Sequence, residues 1–190
     1  MFETNFKRNG FFVEFGVCDG LKLSNTVVLE KNFGWSGIIA EPARSWHDAL
    51  FLNRSCSIST KCVYGKSGER ITFNETGERE LSTIDSFSQS DSHAPARETG
   101  NRYEVETISL RDLLIERDAP RQIDYLSIDT EGSEFDIISN FNFDEFDVKL
   151  VSIEHNFTER REQIANLMAN NGYRRVFSSL TLFDDWFIKL

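Results

Sequence analysis

The chain has 190 residues, 39% hydrophobic and 27% charged, which suffices for one domain with a buried core. Its 21 Lys and Arg stand against 31 Asp and Glu, and the net charge of −10 argues against nucleic acid or an anionic membrane surface as partner. Cys18, Cys56 and Cys62 form no CxxC pair, no run approaches the ~20 apolar residues of a membrane span, and residues 1–10 lack the apolar core of a signal peptide; a soluble, cytoplasmic single domain over residues 1–190 is expected.

Residues 11–17 (FFVEFGV) read as a buried strand ending in a glycine turn. A helix is predicted over 23–33, with Gly34 as its stop, followed by a short strand at 37–41 broken by Pro42. Residues 44–52 read as helix, 57–64 as a more polar third strand, and 69–73 as an extra strand of a hairpin. From 74 to 102 the periodicity fails in a stretch rich in Ser, Glu, Thr and Gly, which suggests a mobile flap. Order resumes with a strand at 103–109, a helix at 110–117 and a strand at 124–128 running into Asp129-Thr130-Glu131-Gly132. A helix at 133–141, a buried strand at 148–153, a helix at 159–171 stopped by Gly172 and two final strand-like runs at 173–178 and 186–190 complete the chain. The alternation predicts an α/β fold: a doubly wound, mostly parallel seven-stranded sheet, Rossmann-like, with an antiparallel C-terminal hairpin.

In such sheets ligands lie beyond the carboxyl ends of the strands, where strand order reverses. Four polar clusters fall there: 14–20, Glu41, Asp129 with Glu131, and Glu154-His155-Asn156. Helix capping accounts for Asp19, Asp129 or Ser133 singly, but four clusters on one rim favour a site. In the first turn Gly16 and Gly20 would let a ligand approach the backbone, yet their G-x-x-x-G spacing is not the G-x-G-x-x-G of a pyrophosphate site. Glu14 and Asp19 would repel a diphosphate and suit a ligand carrying an ammonium and a sulfonium, S-adenosyl-L-methionine. Glu41, about two dozen residues further on, stands where an acid grips a ribose diol.

The run FFVEFGVCDGLKLSNTVVLEKNFGWSGIIAEP resembles the opening of the FkbM-type methyltransferases, with their E-x-G-x-x-D-G, SNT-like and G-W-x-G-x-x-x-E-P motifs. IDYLSIDTEGSEFDII, VSIEHN, Gly172-Tyr173 and DDWF also correspond, so the resemblance spans residues 11–190. It implies that Glu14, Gly16, Asp19 and Gly20, helped by Ser24 and Asn25, surround the methionine part of the cofactor. Glu41 would take the ribose hydroxyls, Pro42 would pack on the adenine, Cys62 and Val63 would flank the base, and Asp129 and Glu131 would face the reacting methyl. The implied reaction is O-methylation of a hydroxyl-bearing acceptor: a sugar, a glycan or a polyketide-like small molecule. Only about ten residues precede the first strand, so the cap over the acceptor is expected to be reduced or supplied by another chain.

Removing the acceptor's proton calls for a general base, and the candidates are Glu131, Asp129 and His155, the last equally readable as a loop-bonding histidine. Asp129, Glu131, Glu154 and His155 together offer hard-oxygen and imidazole ligands, but without spatial spacing no metal site is assigned. Cys18 is expected to pack rather than react, since acidic neighbours raise a thiol's pKa. Two other function classes fit the same sheet: an NAD-dependent oxidoreductase, disfavoured by the missing glycine fingerprint, and a non-catalytic module that retains the cofactor pocket.

Overall fold

In the computed structural model, which describes residues 7–190, most of the apolar runs build a seven-stranded sheet. The polar opening at 1–10 lies mostly outside the described residues. The first half of the chain contributes β1 (Phe11–Phe15), α1 (Val27–Phe33), β2 (Ser36–Ala40), α2 (His47–Asn53), β3 (Ser57–Ser59), β4 (Cys62–Tyr64), β5 (Arg70–Glu75) and β6 (Thr83–Ile84). After them come α3 (Ala94–Arg97), β7 (Asn101–Ser109), α4 (Leu110–Glu116), β8 (Gln122–Ile128), α5 (Glu134–Ser139), β9 (Asp147–Glu154), α6 (Arg160–Asn170), β10 (Tyr173–Val176) and β11 (Asp184–Lys189).

The large sheet has the order β10-β11-β9-β8-β1-β2-β3. Strand β1 pairs in parallel with β2 on one side and β8 on the other, so strand order reverses at β1 and opens a crevice at its carboxyl end. Strands β3 and β9 extend the parallel set, β11 runs antiparallel to β9, and β10 runs antiparallel to β11. The fold is α/β and the sheet is mixed rather than purely parallel.

Period-two alternation sends the residues of β1 to two different cores. Val13 and Phe15 join the larger apolar cluster with Leu113, Leu126 and Val151, whereas Phe12 joins the cluster of Trp35, Ile39, Leu50 and Tyr125 on the other face. Helix α1 begins at Val27 and not near Leu23 because Leu23 has a left-handed φ of 66° and the turn at Ser24, Asn25 and Thr26 is tied to a buried carboxylate. It ends as expected at Gly34, whose φ of 70° lets its N–H return to the Leu29 carbonyl.

A second sheet, β4-β7-β5-β6, corrects the sequence reading. The strand expected over 57–64 divides: β3 edges the large sheet, and β4 crosses to pair in parallel with β7. The segment near 69–73 pairs antiparallel with β7 through β5. Local alternation marks which residues are extended, but long-range packing of Phe73, Ile84, Phe87 and Val105 selects their partners.

Residues 74–102 are likewise more structured than their composition suggests. They hold β6, α3 and short 3-10 turns at Arg79–Leu81 and Asp85–Phe87. Arg97 is 0% exposed and donates to Asp91 at 2.9 Å, to Glu131 at 2.7 Å and to the Leu81 carbonyl at 2.8 Å. Buried Asn74 donates to Ser88 and to the Arg97 carbonyl, both at 2.8 Å. A few of its polar residues, Asn74, Thr83, Ser88 and Arg97, are buried and hydrogen-bonded and strap the segment across the rim of the large sheet, while Glu78, Glu80, Ser92 and Glu98 stay exposed.

Candidate active site

A cavity of about 450 Å³ opens at the carboxyl ends of β1, β2, β8 and β9, with residues 79–84 of the strap forming part of its wall. Its size falls within the ~300–1,000 Å³ of small-molecule sites. Gly16 lies at its base with φ 73°, and a Cβ there would sit 1.6 Å from the Asp129 carbonyl oxygen. Only glycine lets the ends of β1 and β8 close together at the reversal point.

Glu41, at the end of β2, is buried and fixed: Oε2 accepts from the Cys18 N–H at 3.0 Å and Oε1 from the Ala43 N–H at 2.9 Å. Burial pushes its carboxyl up to about 7 against those two hydrogen bonds. Pro42, Cys62 and Val63 line the same cavity, so a carboxylate is framed by apolar walls. Asn25 also lines it and donates to Ser127 at 3.0 Å.

Asp129, Glu131 and Glu154 converge from the ends of β8 and β9, each offering an oxygen within 4.8 Å of the others. Burial, followed for Glu131 and Glu154 by the Asp129 charge, raises all three, Asp129 to about 7 and Glu131 to about 8. Glu131 sits at a left-handed φ of 59° and accepts from Arg97 at 2.7 Å and Asn156 at 3.3 Å. Cys18, Leu23 and Asn156 also line the cavity at positive φ, and such strain concentrates at functional sites.

Other predicted residues stand apart. Glu14 shares the face of Phe12, and its oxygens accept from the Asn25 N–H at 2.5 Å, Ser24 at 2.8 Å and Thr26 at 2.5 Å, with Arg54 3.7 Å away. Asp19 folds onto its own turn, accepting from the N–H groups of Leu21 at 2.9 Å and Lys22 at 2.8 Å. At Gly20 a Cβ would strike Arg54 and Leu50, so this glycine serves packing. Glu14, Asp19, Gly20 and Ser24 therefore shape the first loop from behind and do not line the cavity.

His155 is displaced as well. Its Nδ1 accepts from the Phe157 N–H at 3.0 Å and Nε2 lies 4.0 Å from Asp185; the residue lines a smaller hollow that shares Glu154 and Asn156 with the main cavity. Burial and nearby Arg161 lower its pKa, favouring the neutral ring. Of the three candidate bases, Asp129 and Glu131 meet in the cavity. Cys18 packs at its edge with a thiol pushed up by burial and by Glu41. The site also recruits Glu154, signalled by its strand-end position, and Arg97, whose only signal was a charge in a polar stretch.

The donor set fits an adenosyl cofactor: an anchored carboxylate beside apolar walls at one part of the cavity, and three crowded carboxylates, only Glu131 of them paired with Arg97, for a cationic group at another. Residues 14–175 match the family model described as the methyltransferase FkbM domain. No curated protein matches the chain. Among solved structures, the precorrin-6y C5,15-methyltransferase of Geobacter metallireducens GS-15 superposes with a TM-score of 0.51, covering 98% of this chain and 82% of that one. At 7% identity this likeness shows a shared fold and nothing finer.

Proposed function

This chain belongs to the FkbM methyltransferase family, and from that premise we propose that it is an S-adenosyl-L-methionine-dependent O-methyltransferase acting on a hydroxyl of a sugar, glycan or polyketide-like small molecule. The observation that carries the reading is the single cavity joining Glu41 at the end of β2 to Asp129, Glu131 and Glu154 at the ends of β8 and β9. The cofactor, when bound, supplies an electrophilic methyl on a sulfonium. Glu41, held by two backbone donors, accepts from the ribose hydroxyls without reorganising. Pro42, Cys62 and Val63 cover the base, while Gly16 and Asn25 border the methionine part.

The carboxylate group forms the acceptor end. Negative charge there complements a sulfonium and favours departure of the acceptor's proton. Of the bases expected from the sequence, Asp129 and Glu131 can serve this end and His155 cannot. Glu14 acts at one remove: by gripping the 24–26 turn it positions Asn25 at the cavity wall.

Calorimetry with S-adenosylhomocysteine, NADH as the comparison ligand, tests the reading. Binding of the first and not the second, with transfer of labelled methyl to hydroxylated acceptors, is expected. NADH binding in its place would make the protein an oxidoreductase, and cofactor binding without transfer to any acceptor would make it a binding module.

A further inference from the structure

Three carboxylates crowd the acceptor end with little to balance them. Asp129, Glu131 and Glu154 present oxygens within 4.8 Å of one another. At that separation like charges repel strongly in a medium of reduced dielectric. Arg97 touches only Glu131 of the three and is shared with Asp91. Arg79 lines the cavity but stacks its guanidinium over the Trp46 ring, 5.2 Å from its centre, and Arg160, outside the cavity lining, is bound to Asp136 at 2.5 Å and the Gly132 carbonyl at 3.4 Å. Glu41, Glu80 and Asp184 line the same cavity.

A second, independent observation comes from Glu154. Glu154 is only 7% exposed; its carboxyl lies close enough to Asp129 to share a proton with it, yet among the described residues no donor reaches its buried Oε2. An acceptor left bare in the interior is costly, at about 1–3 kcal/mol and more for a charged group. Elsewhere in the fold buried acids are satisfied: Glu14 by Ser24, Asn25 and Thr26, and Glu134 by Gly132 and Thr130. A bare oxygen amid repelling neighbours is the arrangement of a ligand set.

We propose that Asp129, Glu131 and Glu154 bind a divalent cation of the hard, oxygen-seeking class, Mg²⁺ or Mn²⁺, at the acceptor end of the cavity. The donors select the ion. All three are carboxylates; His93 and Cys18 line the cavity but do not join the cluster, and His155 is turned toward Asp185, so among the described residues a zinc-type nitrogen or sulfur set is not assembled. Mg²⁺ takes about six oxygens and keeps several waters, so three one-oxygen ligands leave positions for an acceptor. The acceptor class this favours is a hydroxyl beside a second oxygen, a vicinal diol or hydroxy-carbonyl, able to chelate.

The inference rests on the methyltransferase reading for its consequence. The cation lowers the pKa of the acceptor hydroxyl, whose proton passes to solvent. The freed oxygen then forms a bond to the methyl carbon as the carbon–sulfur bond breaks, its electron pair remaining on sulfur to give S-adenosylhomocysteine.

The test is Mn²⁺ titration of the EDTA-stripped full chain, followed by electron paramagnetic resonance, with S-adenosylhomocysteine calorimetry run separately in EDTA. One tight Mn²⁺ per chain is expected, competed by Mg²⁺ and weakened at least tenfold in Glu154→Gln and in Asp129→Asn, each checked for folding by circular dichroism. No Mn²⁺ binding, or undiminished binding in a folded variant, overturns the cation site. If S-adenosylhomocysteine still binds in that case, the methyltransferase reading survives alone; if Mn²⁺ binds but S-adenosylhomocysteine does not, the cation site stands and that reading fails.

Discussion

Two groups of buried acids lie on the large sheet, and they are handled in opposite ways. Behind the first turn, Glu14 is wrapped by Ser24, Thr26 and the Asn25 N–H, and Arg54 stands between it and Glu30, 2.6 Å from the latter. At the cavity, Asp129, Glu131 and Glu154 face one another with one shared guanidinium and a bare oxygen. The first group is compensated within the chain and is scaffold. The second is left incomplete, and an incomplete buried charge set marks where something else binds.

The largest effect should come from breaking the compensated group. Arg54→Met strands Glu14 and Glu30 and should lower stability by about 3–5 kcal/mol in urea denaturation. A loss under about 1 kcal/mol would dissolve the contrast. Asp129→Asn or Glu154→Gln removes repulsion and leaves an amide that can donate to the remaining carboxylate. Without a divalent ion either variant should melt at or above the wild-type temperature, as calorimetry can check.

Glu41→Ala should weaken S-adenosylhomocysteine binding by about 1–3 kcal/mol through the lost ribose hydrogen bonds, with unchanged affinity refuting that role. The same side chain sets a pH dependence. Burial pushes its carboxyl up to about 7 from the ordinary 4.5, so the folded state holds the extra proton, and stability from this group falls as pH rises from 4.5 to 7. Ribose hydroxyls donate to the ionised form, so cofactor affinity should rise about tenfold from pH 6 to pH 8, and Glu41→Gln should flatten this component. The smallest effect is expected at His155: in His155→Gln methyl-transfer rates should stay within about threefold of wild type, because its ring is turned from the cavity. A loss of about a hundredfold or more would restore it as a base.

Much of this arrangement was legible. Buried apolar runs and glycine stops placed the central strands, and acids at strand ends located Glu41, Asp129 and Glu131 on one rim. The sense of Glu14 was also readable: it alternates with Val13 and Phe15, both in the larger core, so it had to face the other side. The G-x-x-x-G spacing located the loop but not the placement of its acids: Asp19 closes a local turn and Glu14 grips the 24–26 turn, both outside the cavity lining. The second sheet was not legible, because β4, β5 and β7 choose partners through contacts that local periodicity does not contain. Nor was the strap, where Arg97 and Asn74 use polar side chains as core.

The incomplete carboxylate group and Glu41 would together bound one adenosyl site, and a crystal structure grown with S-adenosylhomocysteine and Mn²⁺ decides the matter. Ribose hydroxyls on Glu41, the cofactor's sulfur toward Asp129, and an anomalous peak between Asp129, Glu131 and Glu154 are expected. An adenosyl group seated elsewhere, or a cavity empty at saturating ligand, would rule out such a site.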